Sequence, residues 1–353
     1  MTDILVKTIA NIKPLDTAAM AQAKARQDTL TKPAGSMGRL EALSVQIAGI
    51  QGKSLPQIKQ KAVIVMAADH GVAAHGTSAY PQEVTAEMVL NFLHGGAAIN
   101  VISRQVGARV VIVDMGVAAK LDANPGLISR RIAAGTQDMS RGPAMTAAQA
   151  KQALETGIEI VTMEIKKGLD IVATGDMGIG NTTASSAICA VMTGKSVTEV
   201  TGRGTGLDDK QLSNKIKIIN EAIALNKPEA GKSMEVLAKV GGFEIGGLAG
   251  VILGAAASRV PVVIDGFISG AAALIAAGIC PQAKDYMIAG HCSVEPGHKI
   301  LLQHLGLKPL LDLEMRLGEG TGATLAMALA ETSVRILGEM ATFAEAGVAE
   351  KGE

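Results

Sequence analysis

Five short, mostly apolar runs rich in β-branched residues constrain this chain more than any other feature: Ala62–Met66, Arg109–Val113, Ile171–Thr174, Val260–Ile264 and Tyr286–Ala289. Runs this short, with no polar alternation, predict strands buried on both faces, as in a parallel sheet covered by helices. The stretches between them, among them Glu83–Val101, Thr146–Lys167, Lys210–Leu225 and Gly297–Leu305, have the length and period of crossover helices. A three-layer α/β core is therefore expected.

The first 55 or so residues contain no clear strand, and the segment after Thr321 reads as a long helix with a break near Gly338. Both ends are expected to pack together as a smaller helical lobe. This divides the chain into 1–58, an α/β core over 59–315, and 316–353, which completes the lobe and carries a glycine-rich loop. The longest uncharged run, Gly266–Ala283, holds Pro281 and falls short of the ~20 strongly apolar residues that a bilayer span needs, so a buried helix is expected there.

Charge narrows the range of partners. Lys plus Arg equals Asp plus Glu at 33 each, so there is no net field to hold a nucleic acid or an anionic membrane, and charged ligands must be met locally. Tryptophan is absent and aromatics make up 2%, which disfavours base-stacking surfaces. Cys189, Cys280 and Cys292 form no CxxC pair and no even framework, and no signal peptide is visible at Met1–Lys7, so free thiols and a cytoplasmic location are expected.

The predicted strands end alike, in an ionisable residue followed closely by glycine: Asp69-His70-Gly71, Asp114-Met115-Gly116, Asp176-Met177-Gly178, Asp265-Gly266 and Gly290-His291. In an open parallel sheet, ligands bind outside the carboxyl ends of the strands, so these groups would converge on one crevice. A single such aspartate reads more readily as a helix cap or turn residue; four together favour a site. Three glycine-rich loops add to it: Gly175–Thr183, Gly202–Gly206 and Gly318–Gly322. The first and third run into helical patterns, where free backbone N–H groups could cradle a phosphate. None is a Walker A loop or a GxGxxG fingerprint. Lys32, Arg39, Arg203, Lys215 and Arg316 are the cations placed to finish an anion site.

Glu319 stands between Gly318 and Gly320, where backbone can approach a ligand closely, which suits proton abstraction; complementing the dipole of the following helix is the alternative. His291, Glu295 and His298 contain ligand types for a metal, but Pro296 and Gly297 interrupt the i, i+4 spacing on a helix, and no metal is expected. Ser293 is placed to cap the helix that follows or to bind a polar ligand group. His70 and His75 flank a loop, either as ligand contacts or as turn residues.

Taken together, these motifs resemble the nicotinate-nucleotide–dimethylbenzimidazole phosphoribosyltransferase family, which makes the lower-ligand nucleotide of cobalamin. The resemblance spans nearly the whole chain: Lys32–Glu41, Ala67–Val72, Gly178–Thr183, Lys239–Glu244, Pro261–Phe267 and Arg316–Gly322, in that order. It implies a Rossmann-like core, a small lobe built from both chain ends, and a homodimer with each active site near the interface. It also implies the reaction of nicotinate mononucleotide with a benzimidazole to give α-ribazole 5′-phosphate and nicotinate, with Glu319 as the base and no metal or redox cofactor. Gly178, Gly180, Asn181 and Thr182, then Gly202, Arg203, Gly204 and Lys215, are expected around phosphate and ribose, with Asp265, Ser293, Arg316, Gly318 and Gly320. Tyr80, Glu87, Met88, Met177 and Leu317 are expected around the acceptor base.

Two positions depart from the family pattern. Asp176 stands where some members carry glutamate, so a helper carboxylate is kept but is one methylene shorter. Tyr80 stands where a small polar residue can occur, which leaves the acceptor open among dimethylbenzimidazole, another benzimidazole, a purine or a phenol. Two other readings use the same residues: a nucleotide-binding sensor without catalysis, and a metal-dependent hydrolase built on His291, Glu295 and His298.

Overall fold

The structure, a computed structural model, describes residues 3–204 and 206–349. Thr205 of the Gly202–Gly206 loop lies outside the described residues, as do residues 1–2 and 350–353 at the ends of the expected lobe.

Six strands form one parallel sheet: β1 (Lys61–Ala68), β2 (Ala108–Gly116), β3 (Leu127–Ser129), β4 (Ile171–Met177), β5 (Val262–Ile264) and β6 (Met287–Ala289). Their order is β3-β2-β1-β4-β5-β6, and every neighbouring pair is parallel. The order reverses between β1 and β4, so crossovers run outward in both directions from that pair, the doubly wound arrangement that opens a crevice at the strand ends.

Side chains alternate across the sheet as the pleat requires. Ala62, Ile64, Met66, Val113, Val172 and Ile264 enter one apolar cluster, together with the helices Ala147–Lys166, Asn181–Thr193, Phe243–Ala257 and Phe267–Ile279. Val63, Val65, Ile112, Ala173, Val263 and Ile288 enter a second, together with Arg39–Gln51, Val84–His94, Ala98–Val106 and Thr321–Glu339. Burial on both faces is the reason the strands read as unbroken apolar runs. The helices Ala147–Lys166 and Phe243–Ala257 cross at glycines: a Cβ at Gly157 would overlap the Gly247 carbonyl, and one at Gly250 would overlap that of Leu154.

The chain ends meet. Leu30 bridges Thr342, Arg26 donates to the Leu337 carbonyl at 2.7 Å, and Arg39–Gln51 packs against Thr321–Glu339. The first helix, Ile4–Asn11, instead sends Leu5 into the first sheet-covering cluster.

Four expectations are corrected. Glu83–Val101 is two helices, because Gly95-Gly96 ends the first and a new helix starts at Ala98. β5 begins at Val262, since Pro261 has no N–H to give a ladder. β6 begins one residue late, with Tyr286 closing a 3₁₀ turn. β3 was not expected: it is three residues long and only half buried, too short for a pattern. The uncharged run after Gly266 does form a buried helix, and among the described residues no helix is long and apolar enough to cross a membrane.

Candidate active site

The loop after Arg316 brings a carboxylate to the strand ends by an unusual backbone path. Gly318, Glu319 and Gly320 have φ of 88°, 62° and 90°. Glycine adopts this left-handed region freely, but glutamate does not, and such a residue costs about 1–3 kcal/mol unless its surroundings hold it. Here they do. Glu319 N–H donates to the Asp176 carbonyl at 3.2 Å. Asp265 spans the turn, accepting from Gly320 N–H at 3.2 Å and Ala323 N–H at 2.8 Å. Gly175 in β4 lies directly beneath, and a Cβ there would sit 2.8 Å from the Glu319 carbonyl carbon.

The Glu319 side chain is buried, and its Oε2 accepts from Ile99 N–H at 3.2 Å, at the start of the helix Ala98–Val106. Burial pushes its pKa above the usual range; the Ile99 N–H opposes this and the charge of Asp265 adds to it. Asp176 is pushed much further, well above the carboxylate range, by burial and by the charges of Asp265, Glu244 and Glu319, with only the Asn181 amide at 3.0 Å favouring its ionised form. Asp176 Oδ1 has no hydrogen-bond partner among the described residues. Burial thus disfavours the ionised form of both carboxylates, and at Asp176 three neighbouring acids add to it.

A cleft opens beside this pair at the carboxyl ends of β4, β5 and β6. Its walls include Asp176, Met177, Gly178, Asn181, Thr182, Gly204, Ser293, Arg316, Leu317 and Gly318. Gly180, with φ of 97°, stands at the N-cap of the Asn181–Thr193 helix, whose Asn181 and Thr183 N–H groups donate to the Gly178 and Gly180 carbonyls at 3.1 and 3.0 Å. Behind Thr182, Lys215 is fully buried and donates to the threonine hydroxyl at 2.7 Å. Burial brings its pKa down to about 8, against the pull of Glu295. Arg316 reaches the Gly204 carbonyl at 3.4 Å from the exposed rim. Beneath the loop, His70 and Glu244 form a buried 2.7 Å pair; burial disfavours the His70 cation, but the Glu244 carboxylate outweighs it and raises its pKa.

Not every expected residue faces this cleft. Arg203 turns away to Asp209 and the Leu207 carbonyl, because the helix starting at Asp209 puts a carboxylate within its reach. Asp265 lies under the loop with both oxygens occupied by amides. Gly202 packs against Glu295, and Gly320 rests on β4 and on Val63. Tyr80 is 55% exposed and Glu87 is exposed, both outside the cleft wall. Met88 packs half-buried in the same apolar cluster as Met177. Lys32 pairs with Glu41 at 2.7 Å, and Arg39 holds the Lys308 and Pro309 carbonyls, so neither reaches an anion site. His75 pairs with Asp138 at 2.7 Å, away from the cleft.

His291, Glu295 and His298 do not converge as ligands. His298 Nδ1 accepts from Ser293 N–H at 2.8 Å, Glu295 accepts from Gly204 N–H at 3.0 Å, and no group of three metal-ligand residues comes together among the described residues. Ser293 Oγ accepts from Glu295 N–H at 3.4 Å, but Glu295 stands at the N-cap of the helix and no side chain caps it, so Ser293 is a residue of the cleft wall and not the helix cap. Gly266 and His291 stand in the cleft walls, as expected of the strand ends, and Glu295, weighed only as a metal ligand, stands there too; Ile179, Phe267 and Ile268 in the walls and the Ile99 amide on Glu319 were not singled out as site contacts. The Gly95-Gly96 pair before Ile99 was the one available signal for a second helix start. The three cysteines are free and buried.

A family model described as phosphoribosyltransferase matches residues 12–348. A relative from Roseiflexus sp. (strain RS-1), named nicotinate-nucleotide–dimethylbenzimidazole phosphoribosyltransferase, is 63% identical over 350 residues, 99% of each chain. A relative of the same name from Chloroflexus aggregans (strain MD-66 / DSM 9485) is 62% identical over 350 residues, again 99% of each. The crystal structure of a protein of that name from Thermus thermophilus superposes with a TM-score of 0.91 at 45% identity, covering 96% of this chain and 100% of its own. Sequence and fold thus agree over almost the full length, and this chain belongs to the nicotinate-nucleotide–dimethylbenzimidazole phosphoribosyltransferase family.

Proposed function

We propose that this chain transfers the 5-phosphoribosyl group of nicotinate mononucleotide to 5,6-dimethylbenzimidazole or a related base, giving α-ribazole 5′-phosphate and nicotinate for the lower-ligand nucleotide of cobalamin. The observation that carries the reading is the buried carboxylate of Glu319, held at φ 62° next to Leu317 and Gly318 of the cleft wall, with a buried lysine behind Thr182 of the same wall; neither Glu319 nor Lys215 is itself a wall residue. Phosphate fits the wall of Gly178, Thr182 and Gly204, with Lys215 behind Thr182 and Arg316 at the rim. The acceptor base fits the side of Met177 and Leu317, the latter with an exposed side chain (58%) that offers apolar surface to a ring.

In the mononucleotide the pyridine nitrogen is cationic, so breaking its bond to C1′ returns an electron pair and neutralises it. One nitrogen of the benzimidazole attacks C1′ from the opposite face, which inverts β to α. Glu319 accepts the proton from the other ring nitrogen as the bond forms. Holding both substrates across one cleft supplies much of the acceleration.

The test is one reaction mixture of mononucleotide and dimethylbenzimidazole, analysed by chromatography and product mass. Release of nicotinate with formation of α-ribazole 5′-phosphate is expected, and saturable mononucleotide binding without nicotinate release would favour the sensor reading instead. A panel of benzimidazoles, a purine and a phenol in the same assay ranks the acceptors.

The smaller lobe of 1–58 and 316–353, a cytoplasmic location and the absence of nucleic-acid partners belong to the same reading, as does a homodimer. Exposed Leu90, on the helix Val84–His94, and exposed Val101, on the helix that carries the Glu319 partner Ile99, support a dimer face there. Sedimentation equilibrium is expected to return twice the chain mass; a monomer at micromolar concentration would overturn the dimer.

A further inference from the structure

Glu295 has no part in the chemistry above, yet it is the best-placed acid at the phosphate end of the cleft. It is buried, at the start of the helix Pro296–Leu305. Its Oε1 accepts from Gly204 N–H at 3.0 Å, and its Oε2 has no partner among the described residues. Gly202 makes room for it: a Cβ at that position would lie 2.8 Å from the Glu295 carboxyl carbon. On the other side of the turn a Cβ at Gly204 would be 3.4 Å from Lys215 Nζ, so acid and lysine approach the same turn from two directions.

We propose that Glu295 is a positioning residue for phosphate recognition, seating the Gly202–Gly204 turn with one oxygen while its charge serves as counter-ion to the buried ammonium of Lys215. The proposal rests on the reading that Lys215 meets the substrate phosphate.

The physical need is plain. A buried ammonium with only a threonine hydroxyl for company tends to lose its proton, and a nearby carboxylate opposes that loss. The surrounding charges leave Glu295 alone in this role. Arg203 is engaged by Asp209, and Arg316, itself cationic, meets the Gly204 carbonyl. The helix Asn181–Thr193 carries no charged residue. On the neighbouring helices Glu199 is held by Ser196 and Lys195, and Glu235 by Lys239. On its own helix Lys217 pairs with Glu221. His298 is buried and pushed down to about 3, hence neutral. The arrangement involves a compromise, because a carboxylate repels the incoming phosphate; in exchange the free enzyme has a charged lysine ready.

The experiment is the pH dependence of KM for nicotinate mononucleotide, read as the ratio of variant to wild type so that titration of the substrate cancels. Glu295→Gln keeps an acceptor for Gly204 N–H and removes only the charge. Its KM ratio is expected to stay within about twofold at pH 7 and to reach about tenfold at pH 9, as a loss of roughly one unit in the lysine pKa requires. Glu295→Ala, which also unseats the turn, is expected to raise KM at every pH, with kcat at saturation nearly unchanged in both. Should Glu295→Gln fold poorly, Gly202→Ala, which displaces the carboxylate, gives the same alkaline drift in smaller measure. A flat KM ratio in both Glu295→Gln and Gly202→Ala overturns the proposal. Lys215→Met tests the underlying reading separately: KM is expected to rise roughly tenfold, the worth of one charge-assisted hydrogen bond, and to lose its alkaline rise. Wild-type KM in that variant overturns the phosphate role of Lys215 whatever Glu295 does.

Discussion

Replacing Glu319 with glutamine is expected to lower kcat with nicotinate mononucleotide and dimethylbenzimidazole by roughly a hundred- to ten-thousand-fold, the usual contribution of a positioned general base. The glutamine amide can still accept from Ile99 N–H and needs the same backbone path, so the melting temperature and circular dichroism should not move. The pH profile gives a second readout. Glu319 must be ionised to act, and its pKa lies above the ordinary glutamate range because of burial, so wild-type turnover falls as pH drops through that raised value. Glu319→Gln should lack this acid limb. Turnover within a few-fold of wild type, or an acid limb that persists unchanged, would remove Glu319 as the base.

The second large effect comes from a residue with no side chain. Gly175 lies in β4 under the Glu319 loop, and a methyl group there would press into the Glu319 carbonyl. The strand has little room to yield: Gly175 is paired with Val65 of β1, and Val172 and Ala173 just before it are paired with β5. The loop must move instead, carrying Glu319 with it. A displacement of about 1 Å is enough to cost roughly a hundredfold in rate. Gly175→Ala is therefore expected to lose about that much in kcat while KM for the mononucleotide changes less, because the added methyl presses on the Glu319 loop and not on Gly178 or Thr182. Steady-state kinetics beside a thermal melt distinguishes this from unfolding; normal kcat in a folded variant would show that the loop is not seated on Gly175.

How much of this was legible in the sequence differs from residue to residue for physical reasons. β1, β2 and β4 were readable because both faces are covered, so no polar residue interrupts them. β3 was not, being a short edge strand with half-buried side chains. The carboxylates at the strand ends could be found because Asp-Gly pairs mark where a strand turns into a crevice. Glu319 could be singled out by its flanking glycines, but its partner could not, since a backbone amide leaves no trace in residue identity. Lys215 was visible only as one cation among many; a lysine on a helix ordinarily points to water, and its complete burial is a tertiary fact. Arg203 misled for the opposite reason. It sits in a glycine-rich loop, yet an aspartate six residues later takes up its guanidinium.

The glycine crossing of the helices Ala147–Lys166 and Phe243–Ala257 bears on attempts to harden this protein against heat. Exchanging helical glycine for alanine is a standard route to a more robust protein, because alanine restricts the unfolded chain and favours the helix by about 1 kcal/mol. At Gly157, Gly247 and Gly250 that logic reverses, since the new methyl would enter a neighbouring carbonyl or the Met66 side chain and pry two buried helices apart. A mutagenesis programme guided by helix propensity alone would thus select, within this pair of helices, the substitutions that do the most harm.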